Sequence, residues 1–255
     1  MTPPQPIVLW PAPGWPALLE ADSVLELLVA HDGVEPGALR AWAAGLALHD
    51  VGGARAPLAA ESVEPLASPA DDLRVGQAAR SLGVTRVARV RLDASRAPAP
   101  RPSARARVFD LVRGDACLRP RCVARHRPAG RSLRIAFASD LHHAALWDEV
   151  HADLRRFAPD LADGALHPNA QVRRLVADEN ARAARGELDA LVLGGDLVDH
   201  VYRGPRDRCG GRADETNLPG LLDALAPLSV PCFAIPGNHD HRLHPWRPRA
   251  YGLAE

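Results

Sequence analysis

The chain has 255 residues, of which 47% are hydrophobic, and this is enough apolar material for a substantial core and excludes disorder along the whole length. Lys and Arg together total 31, all of them Arg, and Asp and Glu total 31, so with neutral His the net charge is zero and indicates neither a nucleic-acid nor a membrane-surface partner. The absence of Lys also excludes Schiff-base chemistry and a phosphate-binding P-loop lysine.

The N-terminal sequence and the cysteines predict a reducing, cytoplasmic setting. The start of the chain, MTPPQPIVLWPAPGWPALLEADSV, lacks the basic region of a secretion signal, and Pro and Gly interrupt its apolar stretches. No segment approaches the roughly 20 apolar residues that a membrane span needs. The four cysteines have no CxxC spacing, which predicts unpaired, mostly structural thiols: Cys117, Cys122, Cys209 and Cys232.

Residues 1–130 predict an accessory domain rich in β-strands, for which we expect a small β-sandwich. Turn-forming residues separate five short runs, at 23–30, 39–48, 84–92, 106–112 and 121–126. Apolar residues alternate within 84–92, as is typical of a half-buried antiparallel strand. The Ala-rich part of the second run, from Ala41, is equally compatible with a helix. Trp10, Trp15 and Trp42 are expected in the core rather than on a ligand surface.

Residues 131–255 predict a second domain in which strands and helices alternate. Nearly continuous apolar runs at 133–139, 188–193 and 230–235 are typical of central strands covered on both faces. Helical spacing predicts helices at 144–157, 169–185 and 218–228, with Asn169 as the N-cap of the second. This β-α-β-α-β order implies right-handed crossovers and strands whose carboxyl ends lie at one edge of the sheet.

Each of these three strands is followed by residues that can bind a metal ion. Asp140 and His142 follow the first strand, Asp196 and Asp199 the second, and Asn238 and His239 the third. Ligands of open α/β sheets bind beyond the carboxyl ends of the strands, so we expect these side chains to converge. In an extended D-x-H segment, alternation sends both side chains to one side, where Asp140 and His142 can hold one ion.

This set of residues suits the hydrolysis of phosphate esters. Two metal ions can acidify a water molecule and neutralise the phosphoryl oxygens, and a carboxylate can bridge the two ions. Asp196 is the candidate bridge, because its strand is expected to lie between the other two. Asn238 offers the second ion a neutral amide oxygen, which limits the negative charge facing the phosphate. The mixed nitrogen and oxygen ligands suit Mn, Fe or Zn.

The motifs D-x-H, G-D-x-x-D and G-N-H-[DE], which occur in this order between about residues 131 and 245, resemble the calcineurin-like metallophosphoesterase family. The resemblance implies an αββα-type sandwich that hydrolyses a phosphomonoester or phosphodiester. It implies that Asp140 and His142 bind the first metal ion, that Asp196 bridges and that Asn238 binds the second. In the same comparison, His239 resembles the general acid, and Asp199 the carboxylate that orients it.

Two departures from the family pattern bear on these expectations. The remaining family ligands, a single His and a G-H-x-H motif, do not follow Asp240, so we expect either a fragment with an incomplete domain or a short relative with an impaired site. His200 stands where protein phosphatases of the family carry a phosphate-binding Arg, and it is a candidate substrate contact. Arg203, Arg206 and Arg208 are either further substrate contacts or solvated loop residues.

The sequence also leaves open a function without catalysis. In this alternative, the N-terminal β domain is a binding module, and the second domain is a catalytically inactive scaffold. A small phosphate ester is the expected partner if the chain is an enzyme, and a protein partner is expected if it is a scaffold.

Overall fold

The computed structural model describes residues 6–19, 23–50, 52–76, 83–100, 104–127, 132–202 and 216–242. The chain divides into two compact units, one formed by Met1–Leu133 with Ser229–Phe233 and the other by Arg134–Leu228 with Ala234–Glu255. The domain boundary predicted near residue 130 lies outside the described residues.

The first unit is built mainly from β-strands. Its strands and single described helix are, in chain order, β1 (Ile7–Trp10), β2 (Ala17–Leu19), β3 (Val24–Ala30), α1 (Pro36–Ala43), β4 (Leu46–Asp50), β5 (Arg55–Pro57), β6 (Ala59–Pro65), β7 (Val87–Asp93), β8 (Ala106–Arg113) and β9 (Ala116–His126). A short 3-10 helix covers Pro69–Asp71. Pro36 occupies the first turn of α1, where its fixed φ suits a helix and its missing N–H costs no hydrogen bond.

These strands form two sheets that contribute to one hydrophobic core. One sheet has the order β1-β3-β7-β6 with antiparallel pairing throughout, and the other has the order β2-β9-β8-β4-β5. The core takes Leu27 from β3 and Val90 from β7 of the first sheet, and Leu48 and Phe109 from β4 and β8 of the second. The face of α1 that bears Trp42 packs into the same core.

The predicted runs of this unit agree with the structure except at one place. Four of them overlap β3, β7, β8 and β9, whereas 39–48 contains the end of α1 followed by β4. The helical alternative therefore holds for Ala41–Ala43 only. Trp42 is buried and Trp10 half-buried, while Trp15 is 46% exposed, so the expectation of a core position is wrong for Trp15.

The second unit alternates strands and helices. Its elements are β10 (Ile135–Ala138), α2 (Ala145–Phe157), α3 (Pro159–Gly164), α4 (Pro168–Ala184), β11 (Ala190–Leu193) and α5 (Leu218–Leu225), with a 3-10 helix at His239–His241. The division between the units falls within β12 (Cys232–Ala234), of which Ala234 belongs to the second unit. The strand order is β10-β11-β12, and β10 and β11 are parallel, with Ile135 opposite Ala190 and Ala138 opposite Leu193. The prediction that the Asp196 strand lies in the centre is thus confirmed, and the mixed α/β class agrees with the expected fold.

Two local predictions for this unit are wrong. Asn169 is not an N-cap, because His167 takes that position and the fully buried Asn169 side chain instead donates hydrogen bonds to Ala144 O at 2.8 Å and to Asp148 at 2.7 Å. Strand β10 is also not covered on both faces, whereas that prediction holds for β11, in which Ala190, Leu191 and Leu193 are buried. Side chains alternate along β10, so that Ala136 is buried while Ile135 and Phe137 are 52% and 69% exposed.

Among the described helices, none combines the length and the apolar character needed to cross a lipid bilayer. The described cysteines, Cys117, Cys122 and Cys232, are free thiols, in agreement with their spacing. Burial raises the pKa of the Cys122 thiol to about 12, which makes it unreactive at neutral pH. Cys209 lies outside the described residues.

Candidate metal and catalytic site

The loops that follow β10, β11 and β12 are joined by hydrogen bonds at one edge of the sheet. The backbone N–H of Asp140 donates to Gly195 O at 3.0 Å, and that of His142 donates to Asp196 O at 2.9 Å. The backbone N–H of His239 donates to Asp196 Oδ1 at 3.0 Å. Asp196 therefore contacts both neighbouring loops, and the three sequence motifs meet around it.

Three residues of these loops have a left-handed backbone. Asp140, His142 and Asp196 have φ values of 58°, 47° and 48°. A non-glycine residue in this region costs on the order of 1–3 kcal/mol, and such strain clusters at functional sites. The expectation that alternation along an extended D-x-H segment brings the side chains of Asp140 and His142 together is thus wrong. Strand β10 ends at Ala138, and two left-handed residues, not the alternation of an extended chain, place the side chains together.

Two glycines permit the close approach of the loops. Gly195 has a φ of 101°, a backbone conformation that residues with a Cβ atom rarely adopt. A Cβ on Gly237 would overlap Oδ1 and the amide nitrogen of Asp196 and would lie 3.1 Å from Asp196 Cγ. The absence of a side chain at Gly237 is therefore a condition for the observed position of the Asp196 carboxylate.

Asp140, His142 and Asp196 form a group that fits a metal ion. Each offers one ligand atom, and these atoms all lie within 4.8 Å of one another. His142 Nε2 is 4.0 Å from Asp140 Oδ1, and Asp140 is the most exposed of the three residues. Two carboxylates and one imidazole are suitable ligands for Mn, Fe or Zn. Asn238 is exposed at the start of the 3-10 helix that contains His239.

Asp199 lies at the centre of a second group, with three imidazoles around its carboxylate. Its Oδ1 is 3.2 Å from His239 Nδ1 and 3.5 Å from His142 Nδ1, and its Oδ2 is 3.6 Å from His200 Nδ1. The ligand atoms of Asp199, His142 and His239 also lie within 4.8 Å of one another. The structure therefore brings Asp199, predicted as a support for His239, into contact with a predicted metal ligand as well.

The surroundings of Asp199 favour its charged form. His200 has the largest effect in lowering the pKa of the Asp199 carboxyl, His142 and His239 lower it further, and partial burial opposes them. The pKa consequently lies below its ordinary value, and Asp199 is a carboxylate at neutral pH. A carboxylate accepts hydrogen bonds only, so the nitrogens that face it act as donors when they carry hydrogen.

His200, predicted as a substrate contact, lies in the interior with an exposed fraction of 0%. Among the described residues, neither of its ring nitrogens has a partner within hydrogen-bond distance, although Nδ1 faces Asp199. Its backbone carbonyl accepts a hydrogen bond from Asn217 Nδ2 at 2.9 Å. The other candidate substrate contacts, Arg203, Arg206 and Arg208, lie outside the described residues.

Two residues that the sequence reasoning did not nominate also hold these loops. Asp240 accepts hydrogen bonds from the backbone N–H of Val198 at 2.9 Å and of Gly237 at 2.7 Å, so it joins the loop after β11 to the loop after β12. Asn217 joins His200 to the first turn of α2 by accepting from the N–H of Ala145 at 2.9 Å. The acidic position of G-N-H-[DE] could have indicated Asp240, whereas no motif marks Asn217.

Residues 133–253 match the family model described as calcineurin-like phosphoesterase. This segment belongs to that family. No curated protein and no solved structure matches the chain. A calcineurin-like phosphoesterase domain indicates a metal-dependent hydrolase of phosphate esters, and the matched segment contains both groups of candidate ligands.

Proposed function

We propose that the chain hydrolyses a small phosphomonoester or phosphodiester with two divalent metal ions. The observation that carries this proposal is the group of Asp140, His142 and Asp196, whose ligand atoms lie within 4.8 Å, beside the contact between His239 and Asp199. When bound, the metal ions would acidify a water molecule and neutralise the charge of the phosphoryl oxygens. Mn, Fe and Zn are the ions that suit these ligands.

Each residue has a distinct role in this proposal. Asp140 and His142 would hold the first ion, Asp196 would bridge the two ions, and Asn238 would bind the second with its amide oxygen. The central place of β11 and the contact of Asp196 with the loop of His239 support the bridging role. The complete burial of the His200 side chain argues against the substrate contact predicted for it and favours a role in the support of Asp199.

His239 would act as the general acid for the leaving alkoxide. Its Nδ1 lies 2.9 Å from the carbonyl oxygen and 3.2 Å from Oδ1 of Asp199. Two acceptors at one nitrogen favour hydrogen on Nδ1, so Nε2 is the atom available for the substrate.

In the domain organisation that we propose, residues 1–130 form an accessory β-sandwich, and residues 131–255 form the phosphoesterase domain. The core shared by both sheets of the first unit supports the sandwich. The zero net charge argues against a nucleic-acid substrate. The free thiols support a reducing, cytoplasmic setting.

Hydrolysis of bis-p-nitrophenyl phosphate with added Mn²⁺ tests the proposal. We expect wild-type activity to depend on the ion. The activity should fall more than about 100-fold in Asp196→Asn, because mutation of a residue that only orients a metal ligand typically costs about 10–100-fold and loss of a ligand itself costs more. Asp223→Asn on the exposed surface of α5 is the matched control, with expected wild-type activity.

A wild-type chain that binds Mn²⁺ but cleaves neither this diester nor p-nitrophenyl phosphate would contradict the proposed hydrolysis. It would favour the alternative in which the chain is a catalytically inactive scaffold and the N-terminal unit is a binding module. Equal activity of the wild type and Asp196→Asn would instead contradict the assignment of the metal ligands.

A further inference from the structure

We propose that Asp199, in addition to its contact with His239, positions the metal ligand His142 by fixing its ring so that Nε2 faces the metal site. The buried His200 holds Asp199 in place. The inference rests on the proposed function, since it takes Asp140, His142 and Asp196 as the metal ligands. It assigns Asp199 and His200 as positioning residues of the metal site.

The two ring nitrogens of His142 face different carboxylates. Nε2 is 4.0 Å from Asp140 Oδ1, within the group that fits a metal ion, whereas Nδ1 is 3.5 Å from Asp199 Oδ1. A neutral imidazole carries hydrogen on only one nitrogen. With that hydrogen on Nδ1, directed at the Asp199 carboxylate, Nε2 presents its lone pair to the ion. Metal-binding histidines commonly have such a carboxylate behind them, which fixes the tautomer and strengthens the ligand.

One oxygen of Asp199 serves both histidines. Oδ1 is 3.5 Å from Nδ1 of His142 and 3.2 Å from Nδ1 of His239. The two rings meet edge to face, with centroids 4.5 Å apart and an interplanar angle of 86°. A shift of the Asp199 carboxylate therefore disturbs the metal ligand and the general acid together.

The other oxygen of Asp199 faces the buried ring of His200. Oδ2 is 3.6 Å from Nδ1 of His200, whose side chain is 0% exposed. The backbone of His200 is fixed in turn, because its carbonyl accepts from Asn217 Nδ2 at 2.9 Å and the N–H of Asn217 donates to Val201 O at 2.8 Å. Removal of the ring of His200 would leave Oδ2 without the nitrogen that faces it.

The competing assignment for Asp199 is direct ligation. Asp199, His142 and His239 would then bind an ion themselves, since their ligand atoms also lie within 4.8 Å. The two assignments differ for His239. If Asp199 is a positioning residue, the His239 side chain makes no contribution to metal binding. If the three residues form a ligand set, its loss weakens binding strongly.

Titration calorimetry with Mn²⁺ separates these assignments without any substrate. We expect Asp199→Asn to weaken binding about 10–100-fold, the effect typical of a group behind a ligand. We expect His239→Ala and the charge-matched surface control Asp178→Asn to stay within about twofold of the wild type. Unchanged binding in Asp199→Asn, a comparable loss in His239→Ala, or a wild type that binds no Mn²⁺ would each overturn the inference.

Nitrogen-15 NMR of the metal-free protein, at a pH where the ring is neutral, gives a second measurement. We expect hydrogen on Nδ1 of His142 in the wild type and a shift towards Nε2 in Asp199→Asn, whose amide can donate to Nδ1. His142→Ala assigns the signal. His200→Phe, which keeps a ring in the buried position, should move the same signal in the same direction by a smaller amount, and an unchanged tautomer in Asp199→Asn would overturn the inference.

Neither measurement depends on turnover. A wild type that shows these metal and tautomer effects but hydrolyses no phosphate ester supports the positioning role and contradicts only the proposed function. Circular dichroism of each variant confirms that the fold is retained, and Asp199→Glu, which keeps the charge, should recover more metal affinity than Asp199→Ala.

Discussion

Replacing Gly237 with alanine adds one methyl group at the point where the loop after β12 meets Asp196. The new Cβ would overlap Oδ1 and the amide nitrogen of Asp196 and would lie 3.1 Å from Cγ. Non-bonded heavy atoms favour separations of about 3.5–4.0 Å, so either the carboxylate or the loop must move by on the order of 1 Å. A displacement of this size at a catalytic group costs about 100-fold in rate.

We therefore expect Gly237→Ala to lower kcat/KM for bis-p-nitrophenyl phosphate about 100-fold and to weaken Mn²⁺ binding measured by calorimetry. Gly164→Ala is the matched control, because a Cβ at that position meets nothing within 4 Å. Wild-type activity and metal affinity in a folded Gly237→Ala variant would refute the reasoning, since the observed position of Asp196 would then not be required.

Three further predictions concern the groups that hold the structure. Burial raises the pKa of Asp50, but hydrogen bonds from Arg107 and the amide of Ala54 outweigh it and leave the pKa below its ordinary value. The Asp50 carboxylate therefore stabilises the folded state fully above a pH of about 4, and this stabilisation is lost as pH falls through the folded-state pKa of Asp50. Asp50→Asn should consequently reduce the acid sensitivity of thermal unfolding. Asn217→Ala should lower the free energy of unfolding in urea by about 1–3 kcal/mol, because it removes the partners of Ala145 N–H and of the buried His200 carbonyl. A loss as small in Asn217→Ala as in Asn180→Ala, which removes one hydrogen bond from a half-buried side chain to Pro227 O, would count against that account. Asp240→Ala should also lower the free energy of unfolding in urea by about 1–3 kcal/mol, because the N–H groups of Val198 and Gly237 lose their acceptor. It should weaken Mn²⁺ binding as well, and unchanged Mn²⁺ binding would show that Asp240 does not position the site.

The sequence by itself determined all but one of the strands and helices described in the second unit, and the family of residues 133–253. Apolar runs and helical spacing located β10, β11 and β12 and the helices α2, α4 and α5, because the periodicity of side chains is a local property. The motifs placed metal-competent residues after each strand, and the order of runs implied that they meet. The apolar runs and helical spacing did not predict α3, a short helix between two longer ones.

Only the tertiary structure decided how the side chains of the site are arranged. The left-handed backbone of Asp140, His142 and Asp196 breaks the alternation on which the D-x-H reasoning relied. The interior position of His200 and the roles of Asn217 and Asp240 depend on contacts between residues distant in the chain. Such contacts leave no periodic signal, because hydrogen bonds between loops are fixed by the packing of the strands and helices that carry them. The shared carboxylate of Asp199, which faces three imidazoles at once, is a property of that packing alone.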